Sequence, residues 1–362
     1  MAHDKWYRTY GKEARGDVDD LLFSADSHVI EPPDLWQERL PQKLRERAPV
    51  FRRERSSGGT DKAERVNEMS ADGVSGEVLY PTDGLKVLSV DDSDLEEACV
   101  RVYNDWIIDY CSAAPDRLVG NAMLSLYDMN NAVREMERTR KAGLRGAVVW
   151  QVPPPDLPFT SDHYEPLWAA AQDLEMPVSL HILSGHGYIK DIAVNGQTEQ
   201  ERNRNTVNRK LSLAMDSLQD IIFSGVLDRF PRLKLVMVEN EIGWIPFVLE
   251  QWDFYHAGKH GDAKRSLPLL PSEYFHRQVF ATFFNDAVGA HLLSWWGVDN
   301  CMWSSDFPHN NTTWPRSRQV VARDLGDLPA ASRAKLVREN VAQLYQIPLP
   351  SPIKISAVSS AS

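Results

Sequence analysis

Eight short runs of apolar residues, largely β-branched or aromatic, punctuate this 362-residue chain: Leu21–Ala25, Glu77–Tyr80, Leu118–Leu126, Gly146–Trp150, Pro177–Ile182, Lys234–Val238, Val279–Phe283 and Cys301–Ser304. Between them lie segments with apolar residues three and four apart, including Ser93–Ala113, Asn130–Ala142, Asp162–Leu174, Asn205–Arg229 and Gly243–His256. That spacing belongs to helices that bury one face. Such alternation requires a parallel sheet, because a parallel neighbour is reached only by a crossover. Eight repeats can close on themselves, so the expected fold class is α/β, a (β/α)8 TIM barrel forming a single domain. An open doubly wound sheet is the alternative. It fits less well: the turn after the first run carries Asp26, His28, Glu31 and two prolines, not the Gly-x-Gly-x-x-Gly of a dinucleotide-binding sheet.

Boundary signals support the segmentation. Asp128 or Asn130 can cap one helix and Ser161 or Asp162 another, and Gly143 stands where a helix should stop before the fourth strand. Residues 31–60, with four prolines and Ser56-Ser57-Gly58-Gly59, read as a long first loop of the kind that covers a site. The expected organisation is an N-terminal extension (1–19), a barrel (20–345) and an extended Pro/Ser-rich tail (346–362).

A formal charge of −11 argues against a nucleic-acid surface, and the one basic cluster, Lys43–Arg55, is interrupted by Glu46 and Glu54. No apolar stretch approaches a membrane span, and the N-terminus lacks a signal-peptide core, so the expected location is the cytoplasm. Three cysteines (Cys99, Cys111 and Cys301) in no paired metal spacing make a disulfide framework an unsuitable reading.

Chemistry in such a barrel gathers at the carboxyl ends of the strands. The first strand ends in Asp26-Ser27-His28, whose positions i and i+2 face one side. The fifth carries His181 in an apolar run, the sixth ends Glu239-Asn240-Glu241, and the eighth leads through Ser305 to Asp306 and His309. A histidine in a strand is often a packed core residue, and an aspartate after a strand is often a helix cap. Two carboxylates and two imidazoles at three strand ends together suit a divalent ion with open positions. Tyr80, Trp150 and Trp303, at or near strand ends, are the expected substrate-binding residues.

The segments Asp26-Ser27-His28-Val29-Ile30-Glu31-Pro32, Val78-Leu79-Tyr80-Pro81-Thr82, Leu180-His181, Ile242-Gly243-Trp244-Ile245-Pro246 and Trp303-Ser304-Ser305-Asp306-Phe307-Pro308-His309 resemble the amidohydrolase superfamily, in its branch related to aminocarboxymuconate semialdehyde decarboxylase. The resemblance implies a distorted barrel with Asp26, His28, His181 and Asp306 as metal ligands. Asp26 stands where relatives place the first histidine of His-x-His, which makes the site harder and shifts preference from zinc toward manganese or iron. Where many relatives carry a catalytic histidine after strand six, this chain has Glu239 or Asn240. The fourth strand has no lysine for a carbamylated bridge, so a second metal would draw on Glu239, His186 and His309.

The resemblance implies an enzyme acting on a small carboxylic acid or amide by non-oxidative decarboxylation or hydrolysis, with Asp306, Glu239 and His309 as the candidate catalytic groups. A dinuclear iron or manganese oxygenase is one alternative, and a barrel subunit supporting a catalytic partner another. The expected partners are a small-molecule substrate and further copies of the chain, with a related subunit as the alternative.

Overall fold

The computed structural model describes residues 18–51, 57–186, 198–258 and 267–349. The expected N-terminal extension and C-terminal tail fall almost wholly outside the described residues. Eight parallel strands run in sequence order around one sheet: β1 (Leu22–His28), β2 (Val74–Tyr80), β3 (Leu118–Met123), β4 (Gly146–Val149), β5 (Val178–His181), β6 (Leu235–Val238), β7 (Val279–Phe283) and β8 (Cys301–Trp303). The principal helix after each strand is labelled in turn: α1 (Lys62–Ala71), α2 (Ser93–Cys111), α3 (Met129–Lys141), α4 (Glu165–Asp173), α5 (Glu199–Phe223), α6 (Ile245–Ala257), α7 (Ala287–Trp296) and α8 (Ser317–Leu325). This is the (β/α)8 barrel expected from the alternation, with nearly every strand residue buried on both faces.

Several boundaries differ from the sequence reading for local reasons. β1 extends through His28, so Asp26 and His28 lie within the strand rather than after it. The pairing of β1 with β2 shifts between Ser24↔Glu77 and Ser27↔Leu79, which places an extra residue in β1 just before the potential ligands. β3 stops at Met123. The single helix expected over 205–229 is instead α5, ended by Gly225 at φ +76, followed by a short helix Val226–Arg229. Glycine takes that left-handed turn without steric cost. Asp128, not Asn130, caps α3 by accepting from the Asn131 amide. The long first loop holds short helices at Leu35–Arg39 and Ser57–Thr60.

Closure of the barrel is unusual. β1 and β8 share no regular ladder, yet the Asp306 amide donates to the Asp26 carbonyl (3.0 Å) and the His28 amide donates to the Phe307 carbonyl (2.7 Å). Ser24, Ser27 and Ser305 link hydroxyl to hydroxyl at 2.9 and 3.0 Å beneath them. The seam is therefore stitched at the level of Asp26, His28 and Asp306.

Candidate metal centre

Ligand-bearing side chains from four strand ends meet at one mouth. Asp26 and His28 come from β1, His181 from the last position of β5, Glu239 from the residue after β6, and Asp306 and His309 from the turn after β8. Two overlapping groups, Asp26/His28/His181/Glu239 and His28/Glu239/Asp306/His309, each place one ligand atom per residue within 4.8 Å of all the others. Asp26, His28, His181 and Asp306 are fully buried, whereas Glu239 and His309 keep 16% and 21% of their side-chain surface exposed. The first four form a floor, and the last two stand above it.

Hydrogen bonding fixes the imidazole faces. Nδ1 of His28 is 2.9 Å from the Pro81 carbonyl, and Nδ1 of His181 is 2.8 Å from the Ile182 carbonyl. A carbonyl only accepts, so each Nδ1 carries a proton and each Nε2 turns inward. The two Nε2 atoms face each other at 3.2 Å. Around them lie Asp26 Oδ1, at 3.5 Å from His28 and 3.7 Å from His181, Asp306 Oδ1 at 3.7 Å from His28, and Glu239 Oε2 at 3.9 Å from His181. Both carboxylate oxygens of Asp26 and Oδ2 of Asp306 are buried without a hydrogen-bond partner. Buried carboxylate oxygens rarely stay unsatisfied, and two nitrogens bound to one ion at about 2.1 Å stand roughly 3.0–3.4 Å apart. The donor set fits a divalent cation.

Electrostatics point the same way. Burial, then the His309 and His181 rings, push His28 well below the ordinary histidine range, which keeps it neutral and able to ligate. His181 is raised: burial opposes its charge, but the Asp26 and Glu239 carboxylates outweigh that. Burial, then the charge of Asp306, lifts Glu239 to about 7, and burial with Asp26 holds Asp306 well above the usual carboxylate range. The crowding of carboxyl groups favours the protonated forms of Glu239 and Asp306; a divalent charge would relieve it.

The backbone pays for this convergence. Leu183, Glu239 and Asp306 adopt φ of +66, +58 and +54 just beyond β5, β6 and β8. Non-glycine residues in that region each cost about 1–3 kcal/mol, and such strain clusters at functional sites. The Thr282 hydroxyl accepts from the Glu239 amide (2.9 Å), while the Asn240 side chain turns away, accepting from Gln151 (3.0 Å) and donating to the Val238 carbonyl (2.9 Å). Glu239, not Asn240, thus enters the cluster.

A cavity of about 280 Å³ opens over the floor, lined by Thr82, Leu85, Lys86, Leu183, Glu239 and the turn from Asp306 to Asn311. His309 stacks over His28 with ring centroids 4.0 Å apart, its Nε2 3.2 Å from the Thr82 hydroxyl and its Nδ1 2.8 Å from Asp306 Oδ1. A larger cavity of about 690 Å³ lies at the opposite end of the barrel, beside Pro177, Lys234 and Asn300, which precede their strands.

Three expected substrate residues are not among the cavity walls. Tyr80, Trp150 and Trp303 are buried, and the Tyr80 hydroxyl is bonded to Ser179 and Tyr345 (2.9 Å each), one layer below His181. Nor does His186 join the cluster: its Nδ1 is 3.3 Å from Asp91 and its Nε2 3.3 Å from the Tyr127 hydroxyl. The cavity walls that sequence reasoning missed are Leu85, Lys86, Leu183, Asn310 and Asn311. The Pro81-Thr82 pair was visible in the motif after β2, but nothing in its pattern showed that the following turn would fold over the mouth.

Fold and donor set define a barrel with a divalent-cation centre at the carboxyl ends of its strands. The amidohydrolase family model matches residues 26–347, and the chain belongs to that family. A gamma-resorcylate decarboxylase of Rhodococcus jostii (strain RHA1) is 27% identical over 271 residues, 68% of this chain and 76% of that protein. Among solved structures, an amidohydrolase of Mycobacterium avium subsp. paratuberculosis K-10 superposes with a TM-score of 0.76 at 19% identity, covering 91% of this chain and 100% of that one. A dihydroxybenzoic acid decarboxylase of Polaromonas sp. JS666 with bound manganese and the inhibitor 2-nitroresorcinol gives a TM-score of 0.67 at 20% identity over 90% of this chain and 97% of that one. Among the described residues, no helix is long and apolar enough to cross a membrane.

Proposed function

We propose that this chain is a metal-dependent, non-oxidative decarboxylase of a small aromatic acid. The observation that carries the reading is the meeting of three orphaned carboxylate oxygens, both of Asp26 and Oδ2 of Asp306, with two inward-facing imidazole nitrogens beneath a cavity of single-ring size. Asp26, His28, His181 and Asp306 would hold the ion. The carboxylate-rich set suits manganese, the ion bound in the Polaromonas structure. Bound there, a divalent ion supplies positive charge that anchors an acidic substrate and stabilises negative charge as it develops.

The chain's own groups handle the proton. Loss of CO2 from an aryl carboxylate leaves an electron pair on the ring carbon, which must gain one proton. Glu239, above the ligand floor and open to the cavity, is placed to donate it. His309, between Asp306 and Thr82, is placed to relay a proton back. Leu85, Leu183 and Pro308 give the ring apolar walls, and Asn310, Asn311 and Lys86 offer polar contacts at its rim.

The test is CO2 release by manganese-loaded protein from a panel of hydroxy- and methoxybenzoic acids, γ-resorcylate included. Glu239→Gln should keep the metal and lower turnover by about 100-fold or more. No CO2 from any member of the panel would overturn the reading. The overlap of the two ligand groups favours a second reading, in which Glu239 and His309 help hold a second ion. Elemental analysis separates the two: close to one ion per chain supports the first, and close to two, lost in Glu239→Gln, supports the second.

A further inference from the structure

We infer that Arg65, paired with Glu77, is a positioning residue that sets the separation of the metal-binding groups across the β1–β8 seam. The inference rests on the reading of Asp26, His28, His181 and Asp306 as the ion's ligands. It begins with a gap in the sheet: β1 and β8 lack the regular ladder that fixes spacing between other neighbouring strands, and β1 is bulged just before Asp26. The distance from Asp26 and His28 to Asp306 therefore rests on two backbone hydrogen bonds, Asp306 N–H to the Asp26 carbonyl and His28 N–H to the Phe307 carbonyl, and on whatever side chains brace them.

Arg65 is on α1 and its side chain is completely buried at that seam. Nε donates to Glu77 Oε2 on β2 (2.5 Å), and Nη1 donates to the His28 carbonyl (2.6 Å). Nη2 reaches the Phe307 carbonyl (3.5 Å), and the guanidinium lies 4.7 Å from the centroid of the Phe307 ring. One cation thus touches the residue that carries a first-strand imidazole and the residue next to Asp306. The Phe307 carbonyl also accepts the His28 amide (2.7 Å), so the same oxygen is held from both strands. Glu77 extends the clamp inward, its Oε1 accepting from the Ser27 hydroxyl at 3.3 Å, and Ser27 lies 3.0 Å from Ser305.

A fully buried ion pair is a poor source of net stability, because desolvation offsets most of its attraction. Its geometric effect is the larger one: the guanidinium's planar fork has several donors in fixed directions, each spent here on a different element. A lysine would keep the charge and lose the fork. Outer partners of metal ligands typically alter metal affinity 10–100-fold.

The experiment titrates metal-free wild type, Arg65→Lys and the double variant Arg65→Met/Glu77→Leu with cobalt(II), reading both affinity and the visible d–d spectrum, alongside apo thermal unfolding. The double variant removes both charges and leaves a packable apolar pair, so a folded protein remains to be measured even if Arg65→Lys is unstable. The inference expects a melting temperature near wild type in the double variant, affinity weakened about 10–100-fold and altered d–d bands. Wild-type affinity and spectrum in either folded variant would overturn it. His181→Ala is the control for the underlying reading: if it binds cobalt as tightly as wild type, the ion is not held at these ligands, and that failure is distinct from a failure of Arg65.

Discussion

At the scale of single residues, the orientation of His28 and His181 matters more than their presence. Each spends Nδ1 on a backbone carbonyl, and their Nε2 atoms meet at 3.2 Å. Metal binding there should compete with protons, since His181 is raised and Glu239 sits at about 7. Both groups hold protons more strongly than usual, so affinity for manganese should rise with pH through the neutral range, with proton release on binding. Calorimetry in buffers of different ionisation enthalpy checks this; a pH-independent affinity would contradict it. His181→Ala should remove most bound metal from a folded barrel, measured by elemental analysis. Tyr80→Phe should cost about 1 kcal/mol by stranding the Ser179 and Tyr345 hydroxyls while leaving KM for a substrate unchanged, because its hydroxyl lies below the ligands. The four strand-end residues were legible as candidates from placement and type. Tyr80 lies outside the cavity walls because a strand end marks depth only within a residue or two, and that interval separates the cavity from the packed interior.

Among the elements, the turn after β6 shows what pattern alone could not reveal. Its sequence, Glu239-Asn240-Glu241-Ile242-Gly243, has no helix or strand period, and two readings of which residue faces the mouth were equally open. Gln151 and the Val238 carbonyl hold the Asn240 side chain away from the mouth, and a distant cap fixes the far end of the turn. Asp286, the N-cap of α7, accepts from the Gly289 amide (2.7 Å) and also from the amides of Ile242 (2.8 Å) and Gly243 (2.5 Å). It anchors the turn from a neighbouring loop, while Glu239 and Glu241 sit at positive φ. Asp286→Ala should destabilise the protein by about 2 kcal/mol, above an ordinary cap loss because two further amides are orphaned. Denaturant unfolding of Asp286→Ala and Asp286→Asn measures it, with the asparagine recovering part of the loss. Helix existence, by contrast, was legible wherever apolar spacing was long; the boundary at Gly225 was missed because periodicity carries across a single left-handed residue.

For the molecule as a whole, closure into eight strands was readable from alternation, while its chemistry of burial was not. Glu96 on α2 is fully buried, and burial, opposed only in part by the Ser125 hydroxyl, lifts it to about 8 from an ordinary 4.5. The folded state holds this proton where the unfolded chain has released it. The stabilisation is therefore complete below about pH 4.5 and lost as pH rises through about 8, a decline on the order of 4 kcal/mol. Glu96→Gln should flatten that part of the stability profile, measured as unfolding free energy from pH 5 to 9. The seam between β1 and β8 has a temporal consequence. Ser27 and Ser305, which flank it, are 278 residues apart, so a ribosome releases the Asp26 side of the metal site long before the Asp306 side. No nascent chain short of its eighth strand can assemble the full ligand set, and loading with metal would follow the emergence of that strand, tying the first strand to the last.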